Sequence, residues 1–136
     1  MKSLDTNVLV RLLLGDDATQ LAQVKHLLSQ TQQFTSPITV MLELVWVLEA
    51  HDYTPDQVHR ALNLLLAVPN YKPAHLAELR QALAWYEQGI DFADAMHLAL
   101  RGANSQLLTF DKGFIKQGKR QGLSTQGKDW VTGVTG

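Results

Sequence analysis

The sequence predicts an α/β fold, a short and mainly parallel sheet covered by helices on both faces. Three observations lead there. Short strand-like runs, among them Lys2-Ser3-Leu4, Phe34-Thr35-Ser36 and Gln106-Leu107-Leu108-Thr109, alternate with longer segments of helical periodicity. Helices between successive strands are the connection that parallel pairing needs. Asp5 and Asp111 each follow a strand directly, and ligands bind beyond the carboxyl ends of strands in such sheets.

The elements follow in order. A buried strand ends at Asp5, and Thr6 or Asn7 starts a helix that Gly15 stops. Asp16 or Asp17 caps the next helix, whose inner stripe is Leu21, Val24, Leu27 and Leu28. After the Phe34–Ser36 strand and Pro37, Thr39 is expected to cap a long helix reaching Ala50. Thr54-Pro55-Asp56 is a helix start with proline in the first turn, leading to Val68. Tyr71-Lys72 is a candidate short strand, and a helix then runs from Ala74 to Gln88, ended by Gly89. Asp91 caps a further helix to about Ala103. Beyond Asp111 come a short helix with Phe114 and Ile115, a last strand at Leu123-Ser124-Thr125, and a Gly/Thr-rich end expected to fray.

A chain of 136 residues with 46% hydrophobic content suits one domain, 1–136, with a real core. The net charge of −1 excludes a globally basic nucleic-acid binder. Locally the balance differs. After Asp111 come Lys112, Lys116, Lys119, Arg120 and Lys128 against the lone acid Asp129, which is either a solvated basic face or a phosphate-binding segment. The absence of cysteine removes disulfides and thiolate metal sites. Arg11 interrupts the N-terminal apolar run, so no signal peptide is expected. Val40–Leu48 is broken by Glu43 and falls short of the ~20 residues of a membrane span. A cytoplasmic protein follows.

Two acids lie in helices that are apolar on nearly every side. Asp94 stands in Asp91-Phe92-Ala93-Asp94-Ala95-Met96-His97-Leu98-Ala99-Leu100, and Glu43 among Val40, Met41, Leu42, Leu44 and Val45. A buried carboxylate must be paired, hydrogen-bonded or bound to a cation. Local explanations exist: Asp94 as the third residue of a capped helix, Glu43 as a solvent-facing residue. Glu43 has no Lys or Arg at i±3 or i±4. Taken with Asp5 and Asp111, these acids would repel one another unless a cation intervened. An all-oxygen donor set favours Mg²⁺ or Mn²⁺.

Leu4-Asp5-Thr6-Asn7, Glu43, Asp91-Phe92-Ala93-Asp94-Ala95, and Leu108-Thr109-Phe110-Asp111 with Phe114 resemble the PIN-domain ribonucleases, in particular the VapC-type toxins of bacterial toxin–antitoxin pairs. The resemblance spans nearly the whole chain. It implies a PIN-like three-layer α/β/α fold and Mg²⁺-dependent endonuclease cleavage of RNA. It also implies a homodimer and inhibition by a cognate antitoxin. Asp5, Glu43, Asp94 and Asp111 would be the metal-binding acids, with Asn7 and Thr109 as polar support. Asp91 would either cap its helix or sit in the outer shell. Lys112 and Lys116 are the candidates for substrate phosphate.

Other readings fit less. A receiver-type phosphoacceptor domain would want paired acids after the first strand, where Thr6-Asn7 stands. A di-iron bundle would want two Glu-x-x-His pairs, and only Asp94-x-x-His97 comes near. A catalytically silent PIN scaffold acting as a binding module would not need all four acids. One surface is also expected: Trp46, Leu62 and Leu65 lining a groove for a dimer mate or an antitoxin helix, or else packed in the core.

Overall fold

In the computed structural model, which describes residues 1–125 and 128–135, the chain divides into two compact units, Met1–Leu76 and the remainder from Ala77. The class is mixed α/β, as predicted. Among the described residues the strands form three two-stranded pairs, two parallel and one antiparallel.

In the first unit β1 (Lys2–Ser3) pairs in parallel with β2 (Phe34–Thr35), in register Lys2 with Phe34. A single bridge from Phe34 to Tyr71 replaces the expected strand at Tyr71-Lys72. Helix α1 (Thr6–Leu14) ends at Gly15, whose φ of 62° is the left-handed conformation that glycine adopts without steric cost. Asp17 caps α2 (Ala18–Leu28) by accepting from the Gln20 N–H at 3.0 Å. Helix α3 (Ile38–Ala50) starts earlier than expected, with Pro37 and not Thr39 at its N-cap. Proline's fixed φ suits the turn into the helix, and its missing N–H is no loss there. Thr54 opens α4 (Pro55–Leu66) with a reciprocal capping box: Thr54 Oγ1 accepts from Gln57 N–H at 3.2 Å, and Gln57 Oε1 accepts from Thr54 N–H at 2.9 Å.

α1 packs on α2 and α3, and α3 on α4. This packing overturns the expected groove. Leu62 and Leu65 are 0% and 1% exposed, whereas Trp46 and Leu64 are each 71% exposed. The broad face of α4 is therefore core, and the large apolar residues left outside are one from each of α3 and α4.

The second unit contains α5 (Leu76–Glu87) apart from its first residue, α6 (Phe92–Leu100), β3 (Leu107–Thr109), α7 (Lys112–Arg120), β4 (Ser124–Thr125), β5 (Lys128–Asp129) and β6 (Val131–Gly133). β4 and β5 form an antiparallel pair. The Gly/Thr-rich end does not simply fray: β6 pairs in parallel with β3, Leu107 opposite Val131. Trp130 helps to anchor it. Its ring meets Trp85 edge-on at 6.0 Å, and the Arg101 guanidinium lies 4.4 Å from its centroid. α7 packs on both strands. Among the described residues no helix is long and apolar enough to cross a membrane.

Candidate functional site

In the first unit one threonine joins two of the predicted acids. The strand end is fixed first: Leu4 N–H donates to Thr35 O at 2.7 Å, and the buried Ser36 hydroxyl donates to Leu4 O at 2.8 Å. The chain leaves this ladder at Asp5, still extended (φ −79°, ψ 163°), and Asp5 becomes the N-cap of α1. Asp5 Oδ1 accepts from Thr6 N–H at 2.6 Å. The Thr6 side chain, buried at 6% exposure, donates its hydroxyl to Glu43 Oε2 at 2.8 Å across 37 positions of sequence. Sequence reasoning left Thr6 out of the site. Its signal was a hydroxyl residue between a strand-ending acid and an apolar helix.

Glu43 is exposed, which corrects the expectation of a buried charge. α3 turns Val40, Met41, Leu44, Val45 and Leu48 into the core and leaves Thr39, Glu43, Trp46 and Ala50 as its outer stripe. Asp5 and Asn7 are exposed as well. Asn7 lines a cavity of about 440 Å³ with Arg11, Gln20 and Gln23, between α1 and α2.

The second unit gathers the other acids around the starts of α6 and α7. Asp91 caps α6, its Oδ2 accepting from Asp94 N–H at 3.2 Å. Asp111 caps α7, its Oδ1 accepting from Phe114 N–H at 3.0 Å. Thr109 supports it in turn, because Asp111 N–H donates to Thr109 Oγ1 at 3.0 Å. A Cβ built on Gly113 would lie 3.3 Å from Asp111 Oδ1, so glycine keeps the space beside that carboxylate open.

Asp94 is half-buried, not sealed in. Burial holds its carboxyl above the ordinary range, the negative charges of Asp91 and then Asp111 push it the same way, and His97 pulls weakly against them. Asp91, Asp94 and Asp111 line one cavity of about 330 Å³, together with Lys116, Gln117 and Arg120. Lys112 is exposed on the first turn of α7. Arg120, like Thr6, was not singled out by sequence; its signal was a second cation one turn after Lys116 on the same helix.

Among the described residues, no three or more His, Asp or Glu side chains come together closely enough to hold a metal ion. The donor chemistry nevertheless suits a hard divalent cation. Asp94 faces two like charges, Asp111 has open space beside it, and the donors are carboxylate and hydroxyl oxygens.

The sequence model of the PIN domain matches residues 3–120. No curated protein and no solved structure gave a significant match.

Proposed function

Since the chain belongs to the PIN domain family, generally a metal-dependent nuclease fold acting on nucleic acid, we propose that it is a Mg²⁺-dependent endoribonuclease, with Mn²⁺ as an alternative ion. The observation that carries this reading is the carboxylate at Asp94, raised first by burial and then by the charges of Asp91 and Asp111, in a cavity that Lys116 and Arg120 also line. The residues proposed for the reaction are Asp5, Glu43, Asp94 and Asp111, in one domain spanning 1–136.

Asp5, Glu43, Asp94 and Asp111 would hold the metal, which when bound supplies Lewis-acid stabilisation of phosphate charge and a more acidic water. The chain's own groups do the rest. Thr6 orients Glu43 through its hydroxyl and Asp5 through its N–H. Thr109 and the start of α7 fix the backbone and carboxylate of Asp111. A carboxylate of this set accepts the proton of the attacking water. Lys112 and Lys116 neutralise flanking phosphates.

The finer assignment is the toxin of a cytoplasmic VapBC-type pair, a homodimer silenced by a cognate antitoxin. It is supported by the four motifs in register. The exposed Trp46 and Leu64 offer apolar surface for a partner helix. Incubating the purified chain with RNA in Mg²⁺, in Mn²⁺ and in chelator tests the activity. Cleavage confined to the metal-containing reactions is expected, and cleavage undiminished by chelator would sink the proposal. Co-purification with the product of an adjacent small reading frame, with loss of cleavage in the complex, tests the toxin assignment.

A further inference from the structure

Phe110 stands apart from the other phenylalanines. Of the four in the chain, Phe34, Phe92 and Phe114 are 0%, 3% and 6% exposed, while Phe110 is 83% exposed. Leu108, two residues earlier, is 61% exposed. Leaving a phenyl ring in water forgoes the burial free energy that the other three obtain.

The ring does not hang from a loose loop. On one side Thr109 belongs to β3, and its carbonyl accepts from Val134 N–H at 3.2 Å. On the other, Asp111 N–H is held by Thr109 Oγ1 at 3.0 Å, and Asp111 Oδ1 by Phe114 N–H at 3.0 Å. A ring on backbone pinned from both ends loses little freedom when something docks on it. Consecutive Cα atoms lie about 3.8 Å apart, so the backbone that carries the ring adjoins the backbone that carries the Asp111 carboxylate. Lys112 follows directly and is exposed, and Lys116 and Arg120 line the cavity that Asp111 shares.

We infer that Phe110 is a stacking platform for one base of single-stranded RNA, beside the phosphate that is cut. This rests on the nuclease reading above and adds to it a residue that takes a base. Every base has a π-face, so an exposed ring binds a splayed base with little regard for sequence. In an A-form duplex the bases are stacked on each other and cannot meet it. The cations decide between RNA and a second copy of the chain as the occupant. A two-fold contact centred on Phe110 would bring Lys112 and Lys116 of both copies together, and like charges facing across an interface are unfavourable. A phosphate backbone would neutralise the same side chains.

The test is binding of the full chain in chelator, so that RNA stays whole, to a short unstructured RNA and to a matching duplex. Phe110→Ala should weaken single-strand binding by about tenfold and leave duplex binding unchanged, and Phe110→Trp should restore it. An abasic sugar moved along the strand should weaken wild-type binding at one position. At that position it should cost Phe110→Ala nothing further. Equal single-strand affinities for Phe110→Ala and wild type would overturn the inference, as would wild type that binds no RNA. So would a loss shared equally with the duplex, or a fall in solution mass showing that Phe110 lies between copies. Wild type that discriminates in this way but fails to cut RNA in Mg²⁺ would remove the nuclease reading and leave the stacking site standing.

Discussion

The acids of the two units are held in opposite ways. In the first, Asp5 and Glu43 are exposed and each accepts a hydrogen bond from Thr6, at 2.6 Å and 2.8 Å. In the second, Asp94 is half-buried; burial raises its carboxyl above the ordinary range, and the other acids in its cavity, Asp91 and Asp111, add to that. Asp91 and Asp111 accept from backbone N–H groups and share their cavity with Lys116 and Arg120; Asp94 is set apart by burial beside two like charges. A cation beside Asp94 would relieve that repulsion, whereas in the first unit Thr6 already sets the directions of Asp5 and Glu43. The difference matters because hydrogen bonds orient a ligand, and unrelieved repulsion is what a metal ion relieves.

The largest effect expected is on chemistry. Asp94→Asn and Asp111→Asn should each lower kcat/KM on RNA by roughly a hundred- to a thousandfold, and Asp5→Asn and Glu43→Gln comparably. Full Mg²⁺-dependent activity in Glu43→Gln would reduce that residue to a surface group.

Stability without metal separates the units more sharply. Asp94 binds its proton more tightly in the folded chain than in the unfolded one, so its share of stability falls as pH rises through the window between the two values. Asp94→Asn should raise the melting temperature in chelator by a few degrees at most above that window, with the gain vanishing at lower pH. Glu43→Gln should leave it unchanged or lower, having weakened the bond to Thr6. Mg²⁺ should stabilise wild type by mass action and Asp94→Asn much less. Equal melting curves for the two variants across pH would erase the contrast.

Phosphate contacts give a smaller effect. Replacing Lys112 and Lys116 together by Ala should flatten the salt dependence of single-stranded RNA binding by roughly one to one and a half in log–log slope. An unchanged slope would remove α7 from the RNA surface.

The smallest effect shows that the first unit, too, carries an unsatisfied group. Among the described residues the buried Tyr71 hydroxyl has no partner in good hydrogen-bond geometry, and burial pushes it up to about 12, with the Ser36 hydroxyl pulling the other way. Stability should be flat with pH below the ordinary tyrosine value and fall as pH rises from there toward 12. Tyr71→Phe should abolish that alkaline decline and alter neutral stability by no more than about 1 kcal/mol. A decline that persists in the variant would assign it to another group.

Local chemistry was legible in the sequence; long-range pairing was not. Asp17, Thr54 and Asp91 announced their helices, and Gly15 its stop, because caps depend on a few neighbouring residues. Pro37 displaced Thr39 because its rigid φ served the turn better than a side-chain acceptor. β6 was missed because its Gly/Thr composition resembles a tail, and only β3, more than twenty residues earlier, supplies its ladder. The positions of Asp5, Glu43, Asp94 and Asp111 along their elements could be read. The Thr6–Glu43 bond could not, since it spans 37 positions. Nor could the exposure of Glu43, which depends on the side of α3 that its neighbours cover.

Asp5, Asp91 and Asp111 are all helix N-caps. Asparagine begins a helix about as well as aspartate does. Exchanging a carboxylate oxygen for an amide nitrogen would thus cancel the charge while sparing the architecture. Descendants of such a chain could lose the reaction and keep the shape, surviving as decoys that still occupy whatever the active form engages. Alanine at the same positions would forfeit the helix starts as well, so silence by that route would tend to end in degradation.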